Sequence, residues 1–155
     1  MRMSQYVYFA LGSNETTGAE ISAHLGMEPD AVRVQGSDSS DPLRPASHSW
    51  KISCETLGLR LDEQISEVLD RIAPVADRVR ALVERGDVSA CLQVVRYFND
   101  EDGEEESLGE PVTDDDGHEW EKMAGQHQLL GWSMEREQLE LLVAMGADID
   151  ADEYG

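Results

Sequence analysis

Carboxylates are the residues of this chain whose number and crowding could do chemistry. The densest runs are Asp100-Glu101-Asp102-Gly103-Glu104-Glu105-Glu106 and Asp114-Asp115-Asp116-Gly117. An EF-hand loop needs oxygen ligands at its first, third and fifth positions, glycine at the sixth and glutamate at the twelfth. With Gly117 sixth, Val112 falls first and Met123 twelfth; with Gly103 sixth, Phe98 falls first and Gly109 twelfth. Both registers fail, which leaves a solvated acidic loop with at most weak affinity for divalent ions. Acid–base pairs cannot be picked out among 33 acidic residues by spacing alone.

The other chemistry-bearing residues are sparse. His24, His48, His118 and His127 show no metal-binding spacing, and neither Cys54 nor Cys91 has a CxxC partner, so a structural zinc site lacks ligands. No Gly-x-Ser-x-Gly elbow occurs. Leu11-Gly12-Ser13-Asn14 lies between an expected strand and an expected helix, but with one glycine and no lysine it is not a phosphate loop. It reads as a turn and cap. No catalytic residue, cofactor site or metal site is expected. Trp120 closes the acidic stretch and either tucks onto the fold or anchors a partner; tucking back is favoured, because a bare mobile tryptophan is a liability.

Composition narrows the classes further. Twelve Lys and Arg against 33 Asp and Glu leave a formal charge of −21 over 155 residues, with a mean hydropathy of −0.46. Repulsion from phosphates and anionic lipids argues against direct binding to nucleic acid or membranes. No apolar run approaches the roughly 18 residues of a membrane span, and no extended apolar segment near the N-terminus suggests a secretory signal. Two cysteines 37 residues apart in apolar segments fit free thiols in a reduced cytoplasm. Ten arginines against two lysines fit a GC-rich genome, and a salt-adapted cytoplasm is another source of excess carboxylate.

The elements that must position these residues follow from pattern. Residues 5–11 are aromatic and β-branched and read as a strand. Thr17-Gly18-Ala19-Glu20 matches a capping box for a helix that Gly26 ends. Val32 and Val34 suggest a half-exposed strand, residues 36–47 a loop, and Trp50, Ile52 and Cys54 a strand with one buried face. Asp62 is the expected cap of a long helical segment whose apolar residues, Leu61, Ile65, Val68, Leu69, Ile72, Val75, Val79, Leu82 and Val83, keep helical spacing to Gly86. Pro74 lies mid-segment and predicts a kink or two helices in series.

Ala90–Phe98 is the strongest strand signal and suggests a central position. Residues 128–132 suggest a short strand. Ser133 is expected to cap a helix over 134–145 with Met134, Leu139, Leu142 and Val143 facing inward, and residues 147–154 to form a closing edge strand with carboxylates toward water. This order implies one α+β domain over 1–155: a mostly antiparallel sheet with helices on one face, ferredoxin-like or a duplicated variant. The stretch 99–119 would be an acidic loop insertion within it. Eleven of the 33 acids fall there with no Lys or Arg among them, and deleting 100–117 is expected to leave the fold intact.

Several of these pieces occur in a familiar order. The helix ending Leu25-Gly26-Met27-Glu28-Pro29, the strand Trp50-Lys51-Ile52-Ser53, the helix from Leu61 to a proline, and the leucine-rich 139–146 closing on Asp150-Ala151-Asp152-Glu153-Tyr154 together resemble the bacterial domain-of-unknown-function family numbered 4279. The resemblance implies a fold and supplies no catalytic residues.

The function expected from the residues is that of a non-enzymatic, cytoplasmic protein-binding module of the immunity or antidote kind, which neutralises a basic partner such as a nuclease toxin. The candidate partner-binding residues are Asp100, Glu101, Asp102, Glu104, Glu105, Glu106, Asp114, Asp115, Asp116 and Trp120. The alternatives are a nucleic-acid mimic, which requires carboxylates in a rigid, evenly spaced stripe, and a small-ligand or metal-binding domain using a cleft near His48, His127 and Trp120. A protein whose charge merely reflects salt adaptation is the plainest reading.

Overall fold

The aromatic, β-branched start of the chain forms a longer strand than its pattern predicts. In the computed structural model, which describes residues 2–36, 47–105, 112–120 and 131–155, β1 runs Arg2–Ser13. Its odd-numbered residues Met3, Val7, Phe9 and Leu11 are buried and its even-numbered residues from Ser4 to Gly12 half-exposed. Thr17 caps α1 (Gly18–Leu25) with the reciprocal bonds of a capping box, and Gly26, in the left-handed conformation at φ 65°, ends it. β2 (Ala31–Arg33) and β3 (His48–Cys54) follow.

Pro74 divides the next helical arm as expected. α2 (Leu61–Ile72) passes through one 3-10 turn, Ala73–Val75, into α3 (Ala76–Glu84). The cap is Arg60 rather than Asp62: the Glu63 carboxylate accepts the Arg60 backbone N–H at 2.8 Å, and Asp62 lies inside the first turn, where negative charge suits the helix dipole. β4 (Val88–Phe98) is the long apolar strand, bonded on both sides. After it come β5 (Glu104–Glu105), a separate hairpin of β6 (Val112–Thr113) and β7 (Glu119–Trp120), then α4 (Arg136–Met145) and β8 (Asp148–Tyr154).

The sheet order is β2-β3-β1-β4-β8, with β5 attached beside β1. Neighbours are antiparallel except β4 and β8, which run parallel from Cys91↔Asp148 to Tyr97↔Tyr154. The architecture is α+β, a mostly antiparallel open sheet with its described helices on one face. Ile21 and Leu25 of α1, Leu61, Ile65, Val68, Leu69 and Ile72 of α2, Val79 and Leu82 of α3, and Leu142 and Met145 of α4 pack on Val7, Phe9, Leu11, Trp50, Ile52, Leu92 and Val94. Each such side chain contributes about 1.5–3 kcal/mol on burial. Trp50 is wholly buried, and its indole N–H donates to Ser22 Oγ at 3.0 Å.

Two expectations change at the C-terminal helix. Its cap is Glu135, whose N–H donates to Gln138 Oε1 at 2.9 Å, and Ser133 lies before it. Leu142 and Met145 face the core, Met134 packs partly against it, and Leu139 and Val143 are 43% and 73% exposed. Residues 128–130 of the expected short strand lie outside the described residues; Gly131 and Trp132 are not in a strand, and Trp132 packs half-buried against the core.

Candidate functional site

The described residues of the acidic insertion form two pieces, 99–105 and 112–119. In the first, Asp100 closes a turn: its Oδ1 accepts the Asp102 N–H at 3.1 Å, and its Oδ2 accepts the hydroxyl of Ser4 on β1. Arg2 donates to the carbonyl of Glu101 at 2.9 Å, and Glu104 accepts the Gly58 N–H at 3.0 Å. β5 pairs with the start of β1, Arg2 opposite Glu105 and Met3 opposite Glu104. Gly103 lies so close to Met3 that a Cβ there would stand 2.5 Å from the Met3 carbonyl carbon. The stretch expected as free loop is therefore stitched to the sheet at its start, and removing 100–117 would strip β1 of these bonds.

The second piece is the β6–β7 hairpin, with Val112 opposite Trp120 and Thr113 opposite Glu119. Asp114 organises its turn, accepting the N–H groups of Asp116 at 3.0 Å and His118 at 2.8 Å, and the His118 ring lies 3.5 Å from the same carboxylate. Asp100, Glu104 and Asp114 are half-buried and occupied with their own chain; Glu101, Asp102, Asp115 and Asp116 are exposed. Glu106 and His127 lie outside the described residues, and only the backbone placement of Glu105 and Trp120 is described. Among the described residues no three His, Cys, Asp or Glu side chains are arranged to hold a metal ion.

The remaining candidates have local tasks. His48 Nδ1 accepts the Gln35 N–H at 3.1 Å, which ties the end of β2 to β3. The expected turn over 11–14 comes later in the chain: Leu11, Gly12 and Ser13 are the end of β1, paired with β3 and β4, and the chain turns after them, where Ser13 Oγ accepts the N–H groups of Glu15 and Thr16 at 3.0 and 2.9 Å ahead of the Thr17 cap. Cys54 and Cys91 are both free thiols on opposite faces of the sheet. On the edge, Arg71 makes a bidentate pair with Asp30 at 2.8 and 2.9 Å, which holds the Asp30 carboxyl below its usual range.

The face of the sheet away from the helices carries an organised surface that composition did not reveal. Strand alternation and the parallel register place Asp148, Asp150, Asp152 and Tyr154 of β8 on the same side as Cys91, Gln93, Val95 and Tyr97 of β4 and Tyr6 and Tyr8 of β1. Tyr97 and Tyr154 stack at 4.9 Å between centroids and 16° between planes, and Tyr6 and Tyr8 lie 6.2 Å apart. Lys51 stands 4.7 Å over the Tyr8 ring. The face thus grades from Arg33 and Lys51 at one edge through tyrosines to three aspartates at the other.

The field of those aspartates is felt by their neighbours. The Asp152 carboxylate pushes the Tyr154 phenol up. Burial, then Asp150 and Asp148, push the Cys91 thiol up, so the thiolate is disfavoured and the sulfur is a poor nucleophile. Burial also raises Tyr8, with Cys91, Asp152 and Asp150 adding to it. Asp152 accepts the Gln93 amide at 3.1 Å. On the helix side, Arg96 is 3% exposed, donates to Glu153 at 3.0 Å and lies 4.9 Å from the Phe98 ring, fastening the end of β8 to β4. Beside the tyrosine stack, a hollow of about 370 Å³ is lined by Tyr97, Phe98, Asp100, Tyr154 and Gly155. It is the place where an insertion acid meets the β8 row.

A family model described as Domain of unknown function (DUF4279) matches residues 3–116, about three quarters of the chain. The chain belongs to this family. The match covers β1 through the start of the hairpin and stops before α4 and β8, although the closing segment was among the marks of resemblance in the sequence. Comparison with curated proteins and with solved structures finds no match. DUF4279 membership therefore assigns no chemistry to the acidic face, and no helix among the described residues is long and apolar enough to cross a membrane.

Proposed function

We propose that this DUF4279 protein is a non-enzymatic cytoplasmic binding module that captures a basic protein on its acidic surface, as an immunity or antidote protein captures a toxin. The observation that carries this reading is the row Asp148, Asp150 and Asp152 at alternate positions of β8, beside the stacked Tyr97 and Tyr154. Aromatic groups set among fixed charges supply contact area, while the surrounding acids draw a cationic partner in. The exposed Glu101, Asp102, Asp115 and Asp116 of the insertion extend that field and speed encounter rather than fix the docked pose. Immobilised protein offered a soluble extract of its source organism at low ionic strength tests the reading. A basic protein released by a salt gradient supports it; recovery of no basic protein overturns it.

The same row favours one second reading. Carboxylates spaced two residues apart on a strand recur about every 6.7 Å, the even stripe that nucleic-acid mimicry requires. In that case the basic partner is a nucleic-acid-binding protein, and the partner is displaced by DNA or RNA of any sequence.

A further inference from the structure

Among the described residues, nothing pairs with the outer edge of β8. β8 ends the sheet order and pairs with β4 over its whole length, and no strand among the described residues lies beyond it. Six of its seven residues, all but Asp152, are exposed. Alternate backbone N–H and C=O groups of such a strand point outward, ready to bond another strand. Its two rows differ. The open face shows Asp148, Asp150, Asp152 and Tyr154; the helix-side row holds Ile149, Ala151 and Glu153, with Ile149 43% exposed where the helix layer ends.

Resting on the reading above that the partner is basic, we propose that the partner docks through an extended segment with alternating basic and apolar residues, added as a further strand to the edge of β8. A strand about 4.8 Å away places its side chains directly beside those of β8. Lys or Arg on one row faces Asp148, Asp150 and Asp152, and apolar residues on the other cover Ile149. One basic side chain at the end of the segment reaches the hollow beside Tyr97, Phe98 and Tyr154, where a guanidinium lies flat on a tyrosine ring. Charge selects this occupant over a second copy of the chain. Two β8 edges paired together would set one aspartate row against another, and like charges directly opposite destabilise a sheet.

A synthetic peptide alternating lysine with valine tests this on the full-length protein, against a composition-matched peptide with the lysines clustered and an alternating peptide N-methylated at every second residue. Affinity is read by calorimetry, and amide hydrogen exchange of β8 is read in each complex. The alternating peptide is expected to bind, to slow exchange in β8, and to weaken about tenfold when N-methylation removes donors toward the edge. The pair of substitutions Asp148→Asn and Asp150→Asn on the exposed strand should weaken it comparably, with unchanged melting showing an intact fold. Equal binding of clustered and alternating peptides without β8 protection overturns the strand-addition proposal and leaves the basic-partner reading standing. Failure of every lysine peptide, and of polylysine, to bind at low salt overturns both. Self-association through β8 detected by sedimentation also overturns the proposal.

Discussion

Asp100, Glu104 and Asp114 in the insertion and Asp148 and Asp150 on β8 are the same functional group under opposite constraints. The first three are half-buried and turned onto the chain's own donors: Ser4 and the Asp102 N–H, the Gly58 N–H, and the N–H groups of Asp116 and His118. The β8 acids stand on a regular strand whose partner fixes their direction and leaves them exposed. Density of charge along a chain therefore does not measure the charge offered to a partner. Short acidic side chains in a loop satisfy turn N–H groups, whereas on an edge strand every second one is presented at fixed spacing.

The contrast can be broken most forcefully at Gly103. If residues 100–105 are clamped on β1, Gly103→Val drives a branched side chain into the Met3 backbone and should cost about 1–3 kcal/mol in urea denaturation. Ala151→Val on exposed β8 should stay within about 0.5 kcal/mol. Equal effects would erase the distinction between the stitched insertion and the free edge.

A carboxylate that serves the fold also leaves a pH signature, and Asp30 supplies the reference. Its folded pKa is lowered by the Arg71 guanidinium, so its contribution is present above the unfolded carboxylate range and lost as pH falls through the folded value. The pair is about a third exposed on each side, which limits it to about 1 kcal/mol. Asp30→Asn should lower stability at neutral pH by about that amount and flatten its decline in acid. A variant whose acid profile matches the parent would show that the ion pair is not stabilising.

The smallest effect is expected on the row itself. Asp148→Asn with Asp150→Asn should leave stability unchanged or raise it by a few tenths of a kcal/mol, because the substitutions relieve like-charge repulsion along the strand. A clear loss would mean that these aspartates hold the fold, as the insertion acids do.

Most of the scaffold was legible because its signals are local. Thr17 with Glu20 and Gly26 bracket one helix, Pro74 divides another, and the alternation of Trp50, Ile52 and Cys54 marks a strand with one buried face. The errors fall where several residues satisfy one rule. Residues 139 and 141–145 are all apolar, so spacing alone places Leu142 inward correctly but cannot choose Met145 over Leu139 and Val143 as its companion on the core. Asp62 is a good cap by type, yet the chain caps two residues earlier, where Glu63 reaches back to the Arg60 N–H.

The candidate site was less legible. Pairing of β5 with β1 joins residues about a hundred positions apart, and no local pattern records it. The strict alternation Asp148-Ile149-Asp150-Ala151-Asp152 was visible and did indicate an edge strand. Its importance depended on the parallel pairing with β4, which sets the tyrosine of each strand against the other.

The central claim is that a basic partner docks on the β8 row and that the insertion only steers it. Two triple variants with the same loss of charge measure this directly: Asp148→Asn, Asp150→Asn and Asp152→Asn against Asp102→Asn, Asp115→Asn and Asp116→Asn, each titrated with the alternating lysine–valine peptide at low and high KCl. The β8 triple should raise the dissociation rate and weaken affinity about tenfold or more, and the insertion triple should mainly slow association at low salt. If the insertion triple abolishes binding while the β8 triple binds like the parent, the docking surface is the insertion and the account is wrong.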